Sequence, residues 1–296
     1  MSVKQLMICT FSISLTFGFC FADEINIITE TATYCKHDKL ELQLNIAFID
    51  DGNTHPALVF IPGSGFGYYT GYSFDRNQFN YSIREAASKG YVAVTVDYRP
   101  ISIKDGNIVR YPYPSQLIDV RSSVRWLRAN SKKYSIDVDN IGAIGWSSGG
   151  NLALLLGMFD DEKLSIEEDN IEYSSRVNAI VSMCGPVDLV SKYNDAKDMT
   201  SKSILLQYLG GTPDEIQNKY LEASPINHIN ENTPPILLIY GDADTQVPIR
   251  QAIAFKKKLE ENKRTVEIYI YEKGGHTNYF YDKNIFPFFD RYLKRK

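Results

Sequence analysis

Ile141-Gly142-Ala143-Ile144-Gly145-Trp146-Ser147-Ser148-Gly149-Gly150, running into the apolar stretch Leu152–Met158, decides how this chain is read. Ile141–Ile144 reads as a short buried strand and Leu152–Met158 as a helix. Between them, Gly145-x-Ser147-x-Gly149 matches G-x-S-x-G in the strand–turn–helix context that the motif requires. Such a turn forces its serine into a strained backbone conformation. Glycines two residues to either side let the chain close without Cβ clashes. The hydroxyl of Ser147 then stands at the C-terminal edge of a sheet. The amide of Ser148, at a helix N-terminus, points toward developing negative charge. A Gly/Ser-rich turn without chemistry is the plain alternative, and the flanking strand and helix favour a nucleophile over it.

Outward from this point, strands and helices alternate. Residues 25–34 and 40–49 alternate apolar and polar, as an antiparallel pair does. Ala57–Ile61, Tyr91–Val96, Val177–Cys184, Ile236–Tyr240 and Val266–Tyr271 read as strands, mostly in continuous apolar runs. Helices are expected at 78–89, 114–130, 248–262 and 283–294. In the second of these, Leu117, Val120, Val124 and Leu127 share one face. Residues 186–232 are mixed and polar, suiting short helices on loops and a small cap. The fold class is α/β, a mostly parallel central sheet flanked by helices on both faces. Residues 23–296 form one domain of this kind.

A serine nucleophile needs a base, and the base needs an orienting acid. The chain has 4 histidines. His37 and His55 precede the serine, whereas this fold class places the base after it. His228 lies in a turn-like Ser-Pro-Ile-Asn-His segment. His276 follows the strand 266–271 through Gly274-Gly275, which lets the loop bend inward, and is the favoured base. The acid comes from Gly241-Asp242-Ala243-Asp244, after the strand 236–240. Asp242 suits a turn brace. Asp244 lies further out and is the first choice, with Asp242 second. The loop Pro62-Gly63-Ser64-Gly65 follows another strand and can bring amides close to an ester oxygen. Ser64 and Gly65 join Ser148 as expected oxyanion donors. Tyr68, Tyr69, Tyr72 and Phe74 suit a pocket lining and loop packing equally.

Beyond these residues, several stretches carry a resemblance: Val96-Asp97-Tyr98-Arg99, Gln116–Arg121, Trp126–Asn130, Ile136-Asp137, Gly145–Leu152, Ala223-Ser224-Pro225, Pro234-Pro235, Asp244–Pro248 and Gly274–His276. Over roughly residues 57–295 the chain resembles the α/β-hydrolases. Within them it is similar to the esterase group of hormone-sensitive-lipase-like and bacterial feruloyl-esterase-like enzymes. The resemblance implies an α/β-hydrolase fold, with Ser147 as nucleophile, Asp244 as acid and His276 as base. It implies a serine carboxylic-ester hydrolase that takes a small-molecule ester and needs no metal or other cofactor. One departure stands out: the group's oxyanion motif begins His-Gly-Gly, and Pro62-Gly63-Ser64-Gly65 replaces it here. The amides survive that change. The Asp97-Tyr98-Arg99 stretch is expected to brace the site.

Composition narrows the class further. The chain has 296 residues, is 44% hydrophobic and 23% charged, and carries a net charge of −4. That suits a full globular core and offers no clustered Lys/Arg field for nucleic acid. Lys4 is the only charge among residues 1–22. The apolar run Leu6–Phe21 is shorter than the roughly 20 residues of a membrane span. It is followed by Ala22, as in a cleaved secretory leader, so a secreted or periplasmic protein with no stable membrane span is expected. Cys35 and Cys184 remain after cleavage, free or paired, with Cys184 suiting a buried free thiol. Cys35 and His37 alone are too few for a metal site. The rivals on this scaffold are an acyltransferase, a prolyl-oligopeptidase-type peptidase and a non-catalytic binding protein. The stretch between Ala22 and Ala57 is too short for the propeller such peptidases carry. A binding protein would be expected to lack part of the triad.

Overall fold

The computed structural model describes residues 26–37, 40–67, 79–101, 111–159 and 170–294. The leader expected over 1–22 lies outside the described residues, as do Tyr68, Tyr69, Tyr72 and Phe74. The chain opens with β1 (Ile27–His37) and β2 (Leu40–Ile49), the expected antiparallel pair. Then come β3 (His55–Ile61), α1 (Asn80–Ser88), β4 (Val92–Val96), α2 (Ser115–Ala129), α3 (Ser131–Tyr134), β5 (Ile136–Trp146) and α4 (Ser148–Met158). After β6 (Ala179–Met183) follow α5 (Leu189–Asp195), α6 (Met199–Leu209) and α7 (Gln217–Glu222). The order ends with β7 (Ile236–Gly241), α8 (Arg250–Glu261), β8 (Val266–Tyr271) and α9 (Ile285–Leu293).

The strands form one 8-stranded sheet in the order β1-β2-β4-β3-β5-β6-β7-β8. β2 runs antiparallel to β4, and β4, β3, β5, β6, β7 and β8 are mutually parallel. Side chains alternate between the two faces of a strand. Val59 and Ile61 therefore join Val94, Ala143, Ile180 and Leu238 in one apolar layer, packed under α2, α4 and α8. Leu58 and Phe60 join Ala93, Ile144, Val181 and Leu237 in the other, packed under α1 and α9. Each fully buried Phe or Leu in these layers stabilises the fold by about 1.5–3 kcal/mol. Both faces are covered because the strands are apolar on both, as their continuous runs require.

Three elements differ from the sequence pattern. β5 extends to Ile136 although Asp137–Asn140 is polar, because backbone pairing of His55 with Ile136 holds that end. α4 starts at Ser148, four residues earlier than the apolar run, because the glycines after Ser147 already take helical geometry. α2 is buried nearly all round, Gln116, Asp119 and Arg121 included, where an apolar stripe had been expected. Polar partners allow this: the buried Asp119 carboxylate accepts from Arg99 Nε at 2.9 Å and from the Arg99 amide at 2.7 Å.

The segment 186–232 forms short helices, as expected, and they join the main core. Leu205, Tyr208, Leu209 and Tyr220 are buried in the same apolar layer as α4. Cys35 and Cys184 are both buried, and no disulfide joins them. Among the described residues no helix is long and apolar enough to cross a membrane.

Candidate active site

Because β3, β5, β7 and β8 are parallel, the loops that follow them emerge at one edge of the sheet. Those loops carry Pro62–Gly67, Ser147, Asp244 and His276. Ser147 sits at φ 55°, ψ −122°, between β5 and α4. That conformation is strained for a residue with a side chain. Its amide donates to the Met183 carbonyl at 2.8 Å. The glycines permit close approach: a Cβ on Gly145 would lie 2.1 Å from the Gly149 carbonyl oxygen, and one on Gly149 2.1 Å from that of Ile61.

His276 Nε2 lies 2.9 Å from Ser147 Oγ, and its Nδ1 lies 2.7 Å from Asp244 Oδ2. An ionised carboxylate only accepts, so Nδ1 carries the proton and Nε2 is left to accept from the serine hydroxyl. Asp244 Oδ1 accepts from the amides of Gln246 and Val247, both at 2.8 Å. Burial pushes the Asp244 carboxyl up. The hydrogen bond and charge of His276, with the two amides, outweigh that and hold it below the usual carboxylate range. Asp242 is exposed and accepts from the Lys273 amide at 2.6 Å, which ties the β7 loop to the β8 loop.

The other histidines are engaged elsewhere. His37 Nε2 lies 3.1 Å from Asp119 and 3.2 Å from Cys35 Sγ. His55 pairs with Asp51 at 2.9 Å. His228 Nε2 lies 2.6 Å from the Glu222 carbonyl, its ring against Phe159. Only His276 reaches Ser147 among the described residues.

Ser64, Gly65 and Ser148 all line one cavity of about 200 Å³ with Ser147 and His276. The Ser64 amide, an expected oxyanion donor, donates to the Ser148 hydroxyl at 3.1 Å. Ser148 thus brings a side-chain acceptor from the start of α4 to the Pro62–Gly67 loop. Gly65 has φ +61°, so the loop turns back there. Tyr98, as expected of a brace, donates to the Pro62 carbonyl at 2.8 Å and fixes the loop's start. Phe66 stacks on Tyr208 of α6 with ring centroids 3.6 Å apart.

Several cavity residues had no signal in the sequence. Lys192 of α5, Ser201 and Ile204 of α6, and Gln246 join its wall. Lys192, Ser201 and Ile204 come from the 186–232 segment, which has no periodic pattern, and the stacking of Tyr208 of α6 on Phe66 holds Ser201 and Ile204 near the site. Gln246 follows Asp244 in the acid loop. Cys184 is a further case. Its thiol lies within 4.8 Å of the Asp244 carboxylate and the His276 ring. Burial and the nearby Asp244 charge push that thiol up to about 12, so it stays protonated. A protonated thiol is a poor metal ligand, and the other two groups are already bonded to each other.

This arrangement can move a proton from a serine hydroxyl to an imidazole while a carboxylate holds the ring. A family model, BD-FAE, matches residues 44–259, which include Ser147, Asp244 and the Pro62–Gly67 loop. The chain belongs to the BD-FAE family. Its fold is the α/β-hydrolase fold. This BD-FAE chain is 26% identical over 226 residues to esterase LipC of Mycobacterium tuberculosis, covering 75% of this chain and 52% of the relative. It is 28% identical over 222 residues to the probable carboxylic ester hydrolase LipM of the same organism, covering 75% and 48%. The chain thus spans about half the length of these curated relatives. Among solved structures it is similar to Est2, a thermophilic esterase of Thermogutta terrifontis. The TM-score is 0.71 at 25% identity, over 88% of this chain and 89% of that one.

Proposed function

We propose that this protein is a serine carboxylic-ester hydrolase for small, short-chain esters. The observation that carries the proposal is the hydrogen-bonded chain Ser147–His276–Asp244, with Ser147 on a strained turn that lines the cavity. Ser147 Oγ attacks the ester carbonyl while His276 Nε2 takes its proton. The carbonyl oxygen becomes an oxyanion beside the amides of Ser148 and Gly65. The Ser64 amide joins them as the Ser148 hydroxyl gives it up to the stronger, charged acceptor. His276 then protonates the leaving alcohol, and the C–O bond breaks to leave the acyl group on Ser147. Asp244 fixes the tautomer and stabilises the imidazolium throughout. Water, deprotonated by His276, attacks the acyl carbonyl, and the acid leaves as Ser147 recovers its proton.

The small cavity supports a short acyl group. So does the similarity to Est2, which has been solved with propionate and with butyrate bound. From the leader-like residues 1–22 alone, we also propose that the enzyme is exported and acts outside the cytoplasm. The test is hydrolysis of p-nitrophenyl esters from acetate to dodecanoate, with Ser147→Ala as control. We expect acetate to butyrate to be cleaved best, and the variant to lose a factor on the order of 10⁴ or more in kcat. Full turnover by Ser147→Ala would refute the mechanism, and a preference for dodecanoate would refute the short-chain assignment.

A further inference from the structure

The cavity that holds Ser147 and His276 has a cation in its wall. Lys192, on α5, lines it beside Ser201 of α6 and Gln246 of the acid loop. The Lys192 ammonium donates to the Gln246 carbonyl at 2.8 Å. That uses one of its three donors. Asp244 and Asp198 attract it through space, yet neither forms an ion pair with it among the described residues. Burial lowers the Lys192 pKa, and the two aspartates only partly offset this. Lys192 is half-buried, and a half-buried ammonium gains more from a charged acceptor than a fully exposed one does.

A purely structural role is the rival. The Gln246 amide donates to Asp244 Oδ1, so Lys192 could simply steady the loop that carries the acid. Such a brace needs one donor, and it would act on every substrate alike. The location says more. Lys192 lines the same cavity of about 200 Å³ as the reacting hydroxyl, so an ester substituent directed toward α5 can meet its side chain. Ser201 and Gln246 add polar groups to the same wall, which suits an oxygen-rich substituent better than an alkyl chain.

We propose that Lys192 forms a cationic subsite in this cavity and selects esters that carry a carboxylate near the scissile carbonyl. The proposal rests on the ester-hydrolase function above. The carboxylate can belong to the acyl side, as in a hemiester of a short dicarboxylic acid, or to the alcohol side, as in an ester of an acidic sugar.

Two matched substrate pairs separate these sources. The acyl pair is 4-nitrophenyl hemisuccinate against 4-nitrophenyl butyrate. The alcohol pair is 4-acetoxybenzoate against 4-methylphenyl acetate. The readout is the ratio of kcat/KM, charged over neutral, in the wild type and in Lys192→Met. Comparing the ratio between proteins cancels the intrinsic reactivity of each ester. In at least one pair Lys192→Met lowers the ratio about tenfold, chiefly through KM. Lys192→Arg keeps it within about threefold of the wild type, because the charge remains. The same ratio in wild type and Lys192→Met for both pairs overturns the proposal, and a bracing role predicts that result. Lys192→Gln serves under the same criterion if the Met variant folds poorly. If the wild type cleaves no ester, the hydrolase function falls separately. Calorimetry on Ser147→Ala with hemisuccinate monomethyl ester and 4-acetoxybenzoate then judges the subsite. Binding weakened about tenfold for either by adding Lys192→Met upholds it, and unchanged binding of both overturns it.

Discussion

Asp242 and Asp244 lie two residues apart on one loop, and their surroundings give them different roles. Asp244 is buried against His276, while Asp242 is exposed and holds the Lys273 amide. Asp244→Asn is therefore expected to cut kcat by a factor on the order of 10⁴, since an amide can donate to Nδ1 and favour the wrong tautomer. Asp242→Asn keeps an acceptor for the Lys273 amide and is expected to stay within about threefold of the wild type. Steady-state kinetics on a short p-nitrophenyl ester checks both. Acid titration gives a second test of Asp244. Its pKa is lower folded than unfolded, so its contribution to stability is complete above the unfolded value and fades as pH falls through the folded one. The stability gap between wild type and Asp244→Asn is expected to narrow below about pH 4. Urea unfolding at pH 7, 5 and 3 measures it, and a gap that widens on acidification would contradict the assignment. At this scale the pairing of Ser147 with His276 was legible from the G-x-S-x-G motif in its strand–turn–helix context and from the order of the histidines along the chain. The choice between the two aspartates leaned on reach and resemblance, because turn chemistry and orientation of a histidine suit the same residue type. The engagement of the Ser64 amide was not legible, since it depends on where one hydroxyl rotates.

Among the elements, the turn from β5 to α4 has little spare room. A Cβ on Gly149 would press on the Ile61 carbonyl, which is backbone and cannot swing away. Gly275, beside the histidine, has nothing within 4 Å of the same added atom. Gly149→Ala is expected to lower stability by about 1–3 kcal/mol and to displace Ser147, with loss of most turnover. Gly275→Ala is expected to stay within about 0.5 kcal/mol. Thermal melts paired with esterase assays compare them, and equal behaviour of the two variants would refute the steric account. Strands were the most legible elements, because runs such as Ala57–Ile61 and Ile236–Tyr240 are apolar on both faces and match the layers they fill. Helix α2 was read in the right place but as half-exposed. Its buried Asp119 and Gln116 look like surface residues until their partners on the β4 loop are known.

Across the whole molecule, that buried network joins parts of the chain that are distant in sequence. Asp119 of α2 meets Arg99 after β4 and His37 at the end of β1. Asp119→Ala leaves the Arg99 charge without its carboxylate, and removing one partner of a buried pair costs about 3–5 kcal/mol. The melting temperature is expected to fall by on the order of 10 °C. A fall under about 2 °C in a calorimetric scan would show the network to be dispensable. The order of the strands has a consequence of another kind. Among the described residues β8 is the last strand of the sheet and pairs only with β7, with Tyr269, Ile270 and Tyr271 partly open to solvent. Yet the loop that β8 launches carries His276. An outermost strand frays at lower free energy than the interior it borders. The proposed base thus hangs from a fuse: opening of β8 alone would abolish the proposed activity while β3, β5 and β6 remain intact. Turnover should disappear at a urea concentration below that which melts the helices, and amide exchange should be faster along Val266–Tyr271 than along Ala179–Met183. Coincident loss of activity and of circular dichroism would mean that the edge is locked to the core, and that the molecule fails only as one unit.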